Sequence, residues 1–121
     1  MILVAVALGG FVGAPCRYLA DRAITSRARS SLPWGTLFVN VSGAFLLGLL
    51  AGLSLSTRVS STTSALVGTG FLGAFTTFST FSFETVRLLE QNKYRRACEY
   101  VAASLGAGLA AAAAGFAIGL H

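Results

Sequence analysis

Charge is scarce in this chain: 11% of its 121 residues are Asp, Glu, Lys or Arg, against about 25% in an ordinary soluble domain. That deficit excludes a water-exposed globule. Carboxylates are rarest, with only Asp21, Glu84, Glu90 and Glu99. The charges are also bunched into 17–29, position 58 and 84–99, and the long stretches between them carry none. Cysteine is limited to Cys16 and Cys98. They lack metal-ligand spacing, sit at predicted helix ends, and read as free, half-buried small apolar residues. The single histidine, His121, is the last residue, and one imidazole cannot build a zinc site. The glycine-rich stretch 68–73 has no lysine, so it is no P-loop. No nucleophile–base pair is visible, and nothing marks an enzyme.

What the chain does have is apolar length. Hydrophobic residues make up 55% of it. A bilayer-spanning helix needs about 20 mainly apolar residues, and four segments qualify, about 1–20, 34–55, 63–89 and 97–120. The reading is an all-α membrane protein, one four-helix transmembrane domain over 1–121. Its short connections force neighbouring helices to run antiparallel. The first segment is not read as a cleaved signal peptide, because residues 1–15 hold no Lys or Arg and Arg17 follows the apolar run. A net charge of +5 can point to nucleic acid, but the basic residues fall between apolar segments and read as membrane-surface charges. Loop one (21–33) carries Arg22, Arg27 and Arg29, loop two (56–62) carries Arg58, and loop three (90–96) carries Lys93, Arg95 and Arg96. With Arg17 and Arg87 near the same side, the count is eight against one. The positive-inside rule then puts loops one and three in the cytoplasm, both termini outside, and the chain in a cell inner (plasma) membrane.

Fourteen glycines are spread along the spans. Gly9/Gly13, Gly48/Gly52 and Gly115/Gly119 are small-xxx-small pairs, which let helix backbones approach in lipid, and the run Ala110–Ala114 acts likewise. The third span differs. Gly68, Gly70 and Gly73 lead into a run where Phe71, Phe75, Phe78, Phe81 and Phe83 alternate with Thr76, Thr77, Ser79, Thr80 and Ser82. Glycine and β-branched threonine weaken a helix, and in hydrocarbon a broken helix is tolerated only against protein or a water-filled path. The run therefore suggests a discontinuous helix lining a polar feature. The bland alternative is hydroxyls bonding back to their own helix and phenylalanines facing lipid.

These residues carry a resemblance. Gly9-Gly10-Phe11-Val12-Gly13-Ala14-Pro15-Cys16-Arg17-Tyr18 resembles the first-helix pattern of the Fluc/CrcB family of fluoride ion channels. Residues 34–43, Trp34-Gly35-Thr36-Leu37-Phe38-Val39-Asn40-Val41-Ser42-Gly43, resemble its second-helix pattern. Gly70-Phe71-Leu72-Gly73-Ala74-Phe75-Thr76-Thr77-Phe78-Ser79-Thr80-Phe81-Ser82-Phe83-Glu84 is similar to its third-helix signature, and the likeness runs over nearly the whole chain. The resemblance implies an antiparallel dimer whose third helices break where they cross. It implies one structural Na+ held there by backbone carbonyls at positions matching Gly73 and Thr76, and two narrow fluoride pores. Phe78 and Phe81 match the aromatic pair on the path, Asn40 the polar side chain of the second helix, Tyr100 and Ser104 the fourth-helix polar positions, and Arg17 the vestibule arginine.

Elementary chemistry agrees with that expectation. Fluoride is strongly hydrated, so a pore must replace water with donors. Asn40 offers amide N–H groups, and Ser79, Thr80, Ser82, Tyr100 and Ser104 offer hydroxyls. A phenylalanine ring has a partly positive edge, and Phe78 and Phe81, three apart on a helix, point nearly the same way; Phe83 points away and reads as packing. Asn40 is also readable as interhelical glue, and Arg17 equally as a snorkelling headgroup contact. Glu84 would repel an anion and is expected to pair with an arginine or cap structure. A helix break frees carbonyls, and four of them, two per subunit, suit a hard cation. The eight-to-one bias fixes one orientation, so an antiparallel dimer calls for either a paralogous subunit of opposite bias or self-pairing against the bias. The competing readings are a small proton-coupled multidrug or cation antiporter, which needs a membrane carboxylate that the first two spans lack before Asp21, and a non-transporting assembly subunit, which leaves the Thr/Ser/Phe run unexplained.

Overall fold

The structure, a computed structural model, describes residues 1–27, 32–57 and 59–121. Four helical segments are long and apolar enough to cross a membrane: Ile2–Arg27, Trp34–Ser56, Ser61–Glu90 and Tyr94–Leu120. The first is α1 (Ile2–Arg27) and the second α2 (Trp34–Ser56). The third is composite: a short α3 (Ser61–Ser64), a π-helical stretch Ala65–Leu72, one turn of α4 (Gly73–Phe75), and α5 (Phe78–Glu90). The fourth is α6 (Tyr94–Leu120).

Two helix ends run past the apolar segments. α1 continues to Arg27, where the sequence placed a loop from Asp21. Its polar end is held by i,i+4 pairs: Arg22 Nη1 donates to the Tyr18 hydroxyl at 2.8 Å, and the Thr25 hydroxyl donates to Asp21 Oδ1 at 3.2 Å. Arg95 and Arg96 likewise belong to the first turn of α6, so loop three is a tight turn. Asn92 takes φ 60° there. The N–H of Asn92 donates to the Leu89 carbonyl at 3.0 Å and that of Lys93 to the Leu88 carbonyl at 2.9 Å, a Schellman closure of α5 with Asn in the left-handed position.

Packing follows the glycines. α2 lies along α6, and α1 along the π-helical stretch. At Gly48 an added Cβ would strike the Ala112 carbonyl oxygen, at Gly52 that of Phe116, at Gly115 that of Phe45, and at Gly119 that of Leu49. On the other seam Gly9 faces the Leu66 carbonyl and Gly13 the Phe71 carbonyl, while Gly70 would put a Cβ 2.7 Å from the Val6 carbonyl oxygen. All three small-xxx-small pairs thus sit where two backbones touch, which is how helices associate when lipid is as apolar as their side chains.

Much apolar surface is uncovered. Phe11 is 79% exposed and Leu109 72%. Buried apolar residues are few among the described residues: Leu88, Ala97 and Tyr100 form one cluster, with Leu37 and Phe81 against it, and Ala5, Val39, Ala65 and Leu72 are buried outside it. A bundle of this kind needs lipid or another chain around it.

Candidate functional site

The site is built on a gap in the third span. Thr76 and Thr77 are extended, with ψ 157° and φ −147°. The break falls three residues after Gly73, between the turn of α4 and the start of α5. Thr77 caps α5: its Oγ1 accepts from the Thr80 N–H at 3.2 Å. The peptide groups that the break releases are taken by Asn40 on α2. Asn40 Oδ1 accepts from the Thr77 N–H at 2.8 Å, and Asn40 Nδ2 donates to the Thr77 carbonyl at 2.9 Å. One amide thus satisfies both backbone groups of one residue, 37 positions along the chain. Thr77 is buried, so no water competes for them.

On one side of this clamp lies an aromatic cleft of about 340 Å³, lined by Asn40, Thr76, Thr77, Phe78, Phe81 and Ser104 among others. The Phe78 and Phe81 rings are 5.9 Å apart and tilted by 42°. Phe81 is in turn 5.2 Å from the Tyr100 ring. Phe78 is 78% exposed and stands at the open edge of the cleft. Ser104 Oγ is buried and has no hydrogen-bond partner. A buried hydroxyl without a partner is costly, and its O–H is free to donate.

On the other side is a smaller polar cleft of about 180 Å³, lined by Arg17, Tyr18, Asp21, Thr36, Val39, Thr77 and Thr80. Thr77 borders both clefts. A third, larger depression of about 760 Å³, lined by Trp34, Leu37, Phe38 and Phe45 among others, has a nearly wholly apolar wall.

The expected site residues therefore divide. Asn40, Phe78, Phe81 and Ser104 meet in the aromatic cleft, and Arg17 and Thr80 in the polar one. Tyr100 is buried behind Phe81, and its hydroxyl donates to Glu84 Oε1 at 3.4 Å. Ser79 lines neither cleft; its hydroxyl is 3.4 Å from Thr77 Oγ1. Glu84, expected to pair with an arginine or cap structure, accepts from the Tyr100 hydroxyl at 3.4 Å, with Thr36 and Arg87 near it. Phe83 does point away, but at 65% exposure it is not packed within the chain. Sequence reasoning missed Thr36, Thr77 and Asp21 as lining groups; Thr36 lies within the quoted second-helix motif and Thr77 within the third, but neither spacing nor hydropathy separates them from their neighbours. Of the basic residues counted for the charge bias, Arg29 and Arg58 lie outside the described residues.

The carbonyls expected to face a cation can be tested against this geometry. In an unbroken helix the Gly73 carbonyl would accept from the Thr77 N–H, and the Thr76 carbonyl from the Thr80 N–H. Both donors are diverted, the first to Asn40 and the second to Thr77 Oγ1. Gly73 is exposed on the surface of the single chain. Two neutral oxygens deprived of their helical donors fit a hard cation.

Comparison with known proteins adds an independent line. A model of the CrcB-like protein family (Camphor Resistance, CrcB) matches residues 4–116. The chain is 49% identical to fluoride-specific ion channel FluC 2 of Rhodococcus jostii, covering 96% of each chain. It is 46% identical to fluoride-specific ion channel FluC 1 of Streptomyces avermitilis, over 91% of this chain and 89% of that one. It is 48% identical to fluoride-specific ion channel FluC 2 of Moorella thermoacetica, over 86% and 84%.

Proposed function

The chain belongs to the CrcB-like family, and with that as premise we propose that this multi-pass membrane protein is a passive, fluoride-specific ion channel. The observation that carries the reading is the cleft joining Asn40, Phe78, Phe81 and the unpartnered Ser104 hydroxyl. Stripping water from fluoride requires donors that have nothing else to do. Ser104 Oγ–H is such a donor, and Asn40 keeps one Nδ2 hydrogen beyond the one given to Thr77. The edges of Phe78 and Phe81 supply weaker positive potential, and their bulk narrows the path against larger anions. Arg17, in the polar cleft on the far side of Thr77, raises the local anion concentration at a mouth.

The assembly is part of the proposal. Phe78 stands open and Gly73 faces outward, so the cleft and the carbonyls are completed by a second subunit in antiparallel orientation. The Gly73 and Thr76 carbonyls of each subunit would hold a structural Na+, which supplies the positive charge that cancels four aligned carbonyl dipoles. The eight-to-one basic bias argues for a paralogous partner of opposite bias over self-pairing. It also orients loops one and three toward the cytoplasm of the inner membrane, where the negative-inside potential drives fluoride outward.

The test is fluoride efflux from liposomes holding the purified chain alone, started by valinomycin and followed with a fluoride electrode. Fast fluoride loss, with chloride-loaded vesicles silent, is the expected behaviour of a self-sufficient channel. Silence in folded protein, relieved by an oppositely biased paralogue, assigns the heterodimer. Silence that the paralogue does not relieve overturns the channel reading.

A further inference from the structure

Asn40 lies on the aromatic cleft, yet half of its hydrogen-bonding capacity is directed at the backbone of another helix. Its oxygen takes the Thr77 N–H at 2.8 Å and its nitrogen gives to the Thr77 carbonyl at 2.9 Å. The consequence lies one turn back. Without Asn40 Oδ1, the Thr77 N–H has a ready acceptor in the Gly73 carbonyl, four residues earlier, and taking it would close the α-helical turn. In hydrocarbon a peptide group cannot turn to water, so closing that turn is the default. Thr77 at φ −147° is far from helical, and it is held there by an acceptor outside its own span. Gly43 on α2, three residues after Asn40, lies against the Thr76 side chain, so α2 backs the break along its length. Asn40 is thus the group that competes with Gly73 for one hydrogen atom.

We infer that Asn40 is a positioning residue for the carbonyl cradle: by capturing the Thr77 peptide it keeps the Gly73 carbonyl free to face a cation, and so couples the conduction cleft to the cation site without touching the cation. This rests on the proposed cradle of Gly73 and Thr76. The two carbonyls are freed differently. Thr76 loses its helical donor to Thr77 Oγ1, within the same span, whereas Gly73 loses its donor to α2. Damage to Asn40 therefore withdraws one oxygen of the pair and leaves the other. A carboxyl at position 40 would still accept the Thr77 N–H, so Asp preserves the capture that matters for Gly73, while Ala abolishes it.

The experiment is thermal unfolding of the purified, lipid-supplemented protein, in the assembly that conducts fluoride in liposomes (alone or with the paralogue), followed by tryptophan fluorescence as Na+ replaces N-methylglucamine at constant ionic strength. A cation bound by the folded state raises the unfolding temperature with a midpoint set by its affinity. Wild type is expected to respond, N40A to need at least tenfold more Na+ for the same response, and N40D to stay within threefold of wild type. A merely structural role lowers the unfolding temperature with and without Na+ alike and leaves the midpoint where it was. An unmoved midpoint in N40A overturns the coupling while leaving the cradle standing. No Na+-specific response in wild type overturns the cradle and the coupling with it, and leaves the channel reading to the efflux assay. Should N40A fail to assemble, N40Q, which displaces the same amide by one methylene, carries the same tenfold expectation, and an unmoved midpoint there overturns the coupling equally.

Discussion

The α2–α6 seam and the break at Thr77 are built on opposite rules. Along the seam, side chains are absent where the helices touch: Gly48, Gly52, Gly115 and Gly119 bring backbone against backbone. At the break the backbone itself opens, and side chains from Asn40 and Thr77 take up the hydrogen bonds it releases. The first arrangement gains dispersion by close contact, with the Ser56 hydroxyl donating to the Gly119 carbonyl at 2.6 Å at its end. The second gives up helical hydrogen bonds and gains free carbonyls and a cleft with an idle hydroxyl. A membrane protein of four short spans can hold an irregular segment because its regular segments are packed so tightly.

That contrast can be broken most severely from the seam side. Gly115→Leu drives a side chain into the Phe45 carbonyl of α2, where no flexible group can yield. Overpacking costs about 1–3 kcal/mol even among movable side chains, so a larger loss is expected here. The yield of folded protein on size exclusion should fall at least tenfold and fluoride flux should vanish with it; normal assembly of this variant would mean the seam is far looser than its geometry. Ser104→Ala works the other way. It removes a buried hydroxyl that makes no hydrogen bond, so the unfolding temperature should hold or rise slightly. Fluoride flux should fall about tenfold, equivalent to about 1.4 kcal/mol on the barrier. Undiminished flux would remove this hydroxyl from the path. The smallest effect belongs to Thr77→Val, which keeps the shape and the backbone bonds to Asn40 but loses the cap on α5. A cap is worth about 1 kcal/mol, so the unfolding temperature should drop by several degrees, and Thr77→Ser should restore it. A Val variant as stable as wild type would show that the break is held by Asn40 alone.

How much of this was legible in the residues follows from the same contrast. The seams were, because a small-xxx-small spacing is local, and the geometry puts each pair in backbone contact. That the third span breaks was legible from glycine beside threonine and serine. The position of the break, at Thr76–Thr77, was not, since it depends on a donor meeting an acceptor 37 residues away; nor was the π-helical stretch ahead of it, which no spacing or hydropathy marks. Asn40 reads from the sequence as either a pore group or a helix tie; its bonds tie α2 to Thr77, and it also lines the aromatic cleft. For Glu84 the residues suggest an arginine partner or a cap, because charge is what a sequence advertises for a carboxylate; the Tyr100 hydroxyl that donates to it comes from another helix. The extension of α1 to Arg27 was hidden because hydropathy ends where the bilayer ends, while a helix goes on as long as its backbone and i,i+4 pairs allow.

The clamp at Thr77 also imposes an order in time. A span that enters lipid with peptide groups exposed pays several kcal/mol for each, so the third segment cannot profitably open before its external acceptor is present. Asn40 sits on the second segment, which emerges from the ribosome earlier. The third can cross as a continuous helix and then unlatch at Thr77 once it meets α2. Moving the same asparagine to a segment made later would leave the nascent chain waiting, its break unopened, for a partner not yet synthesised.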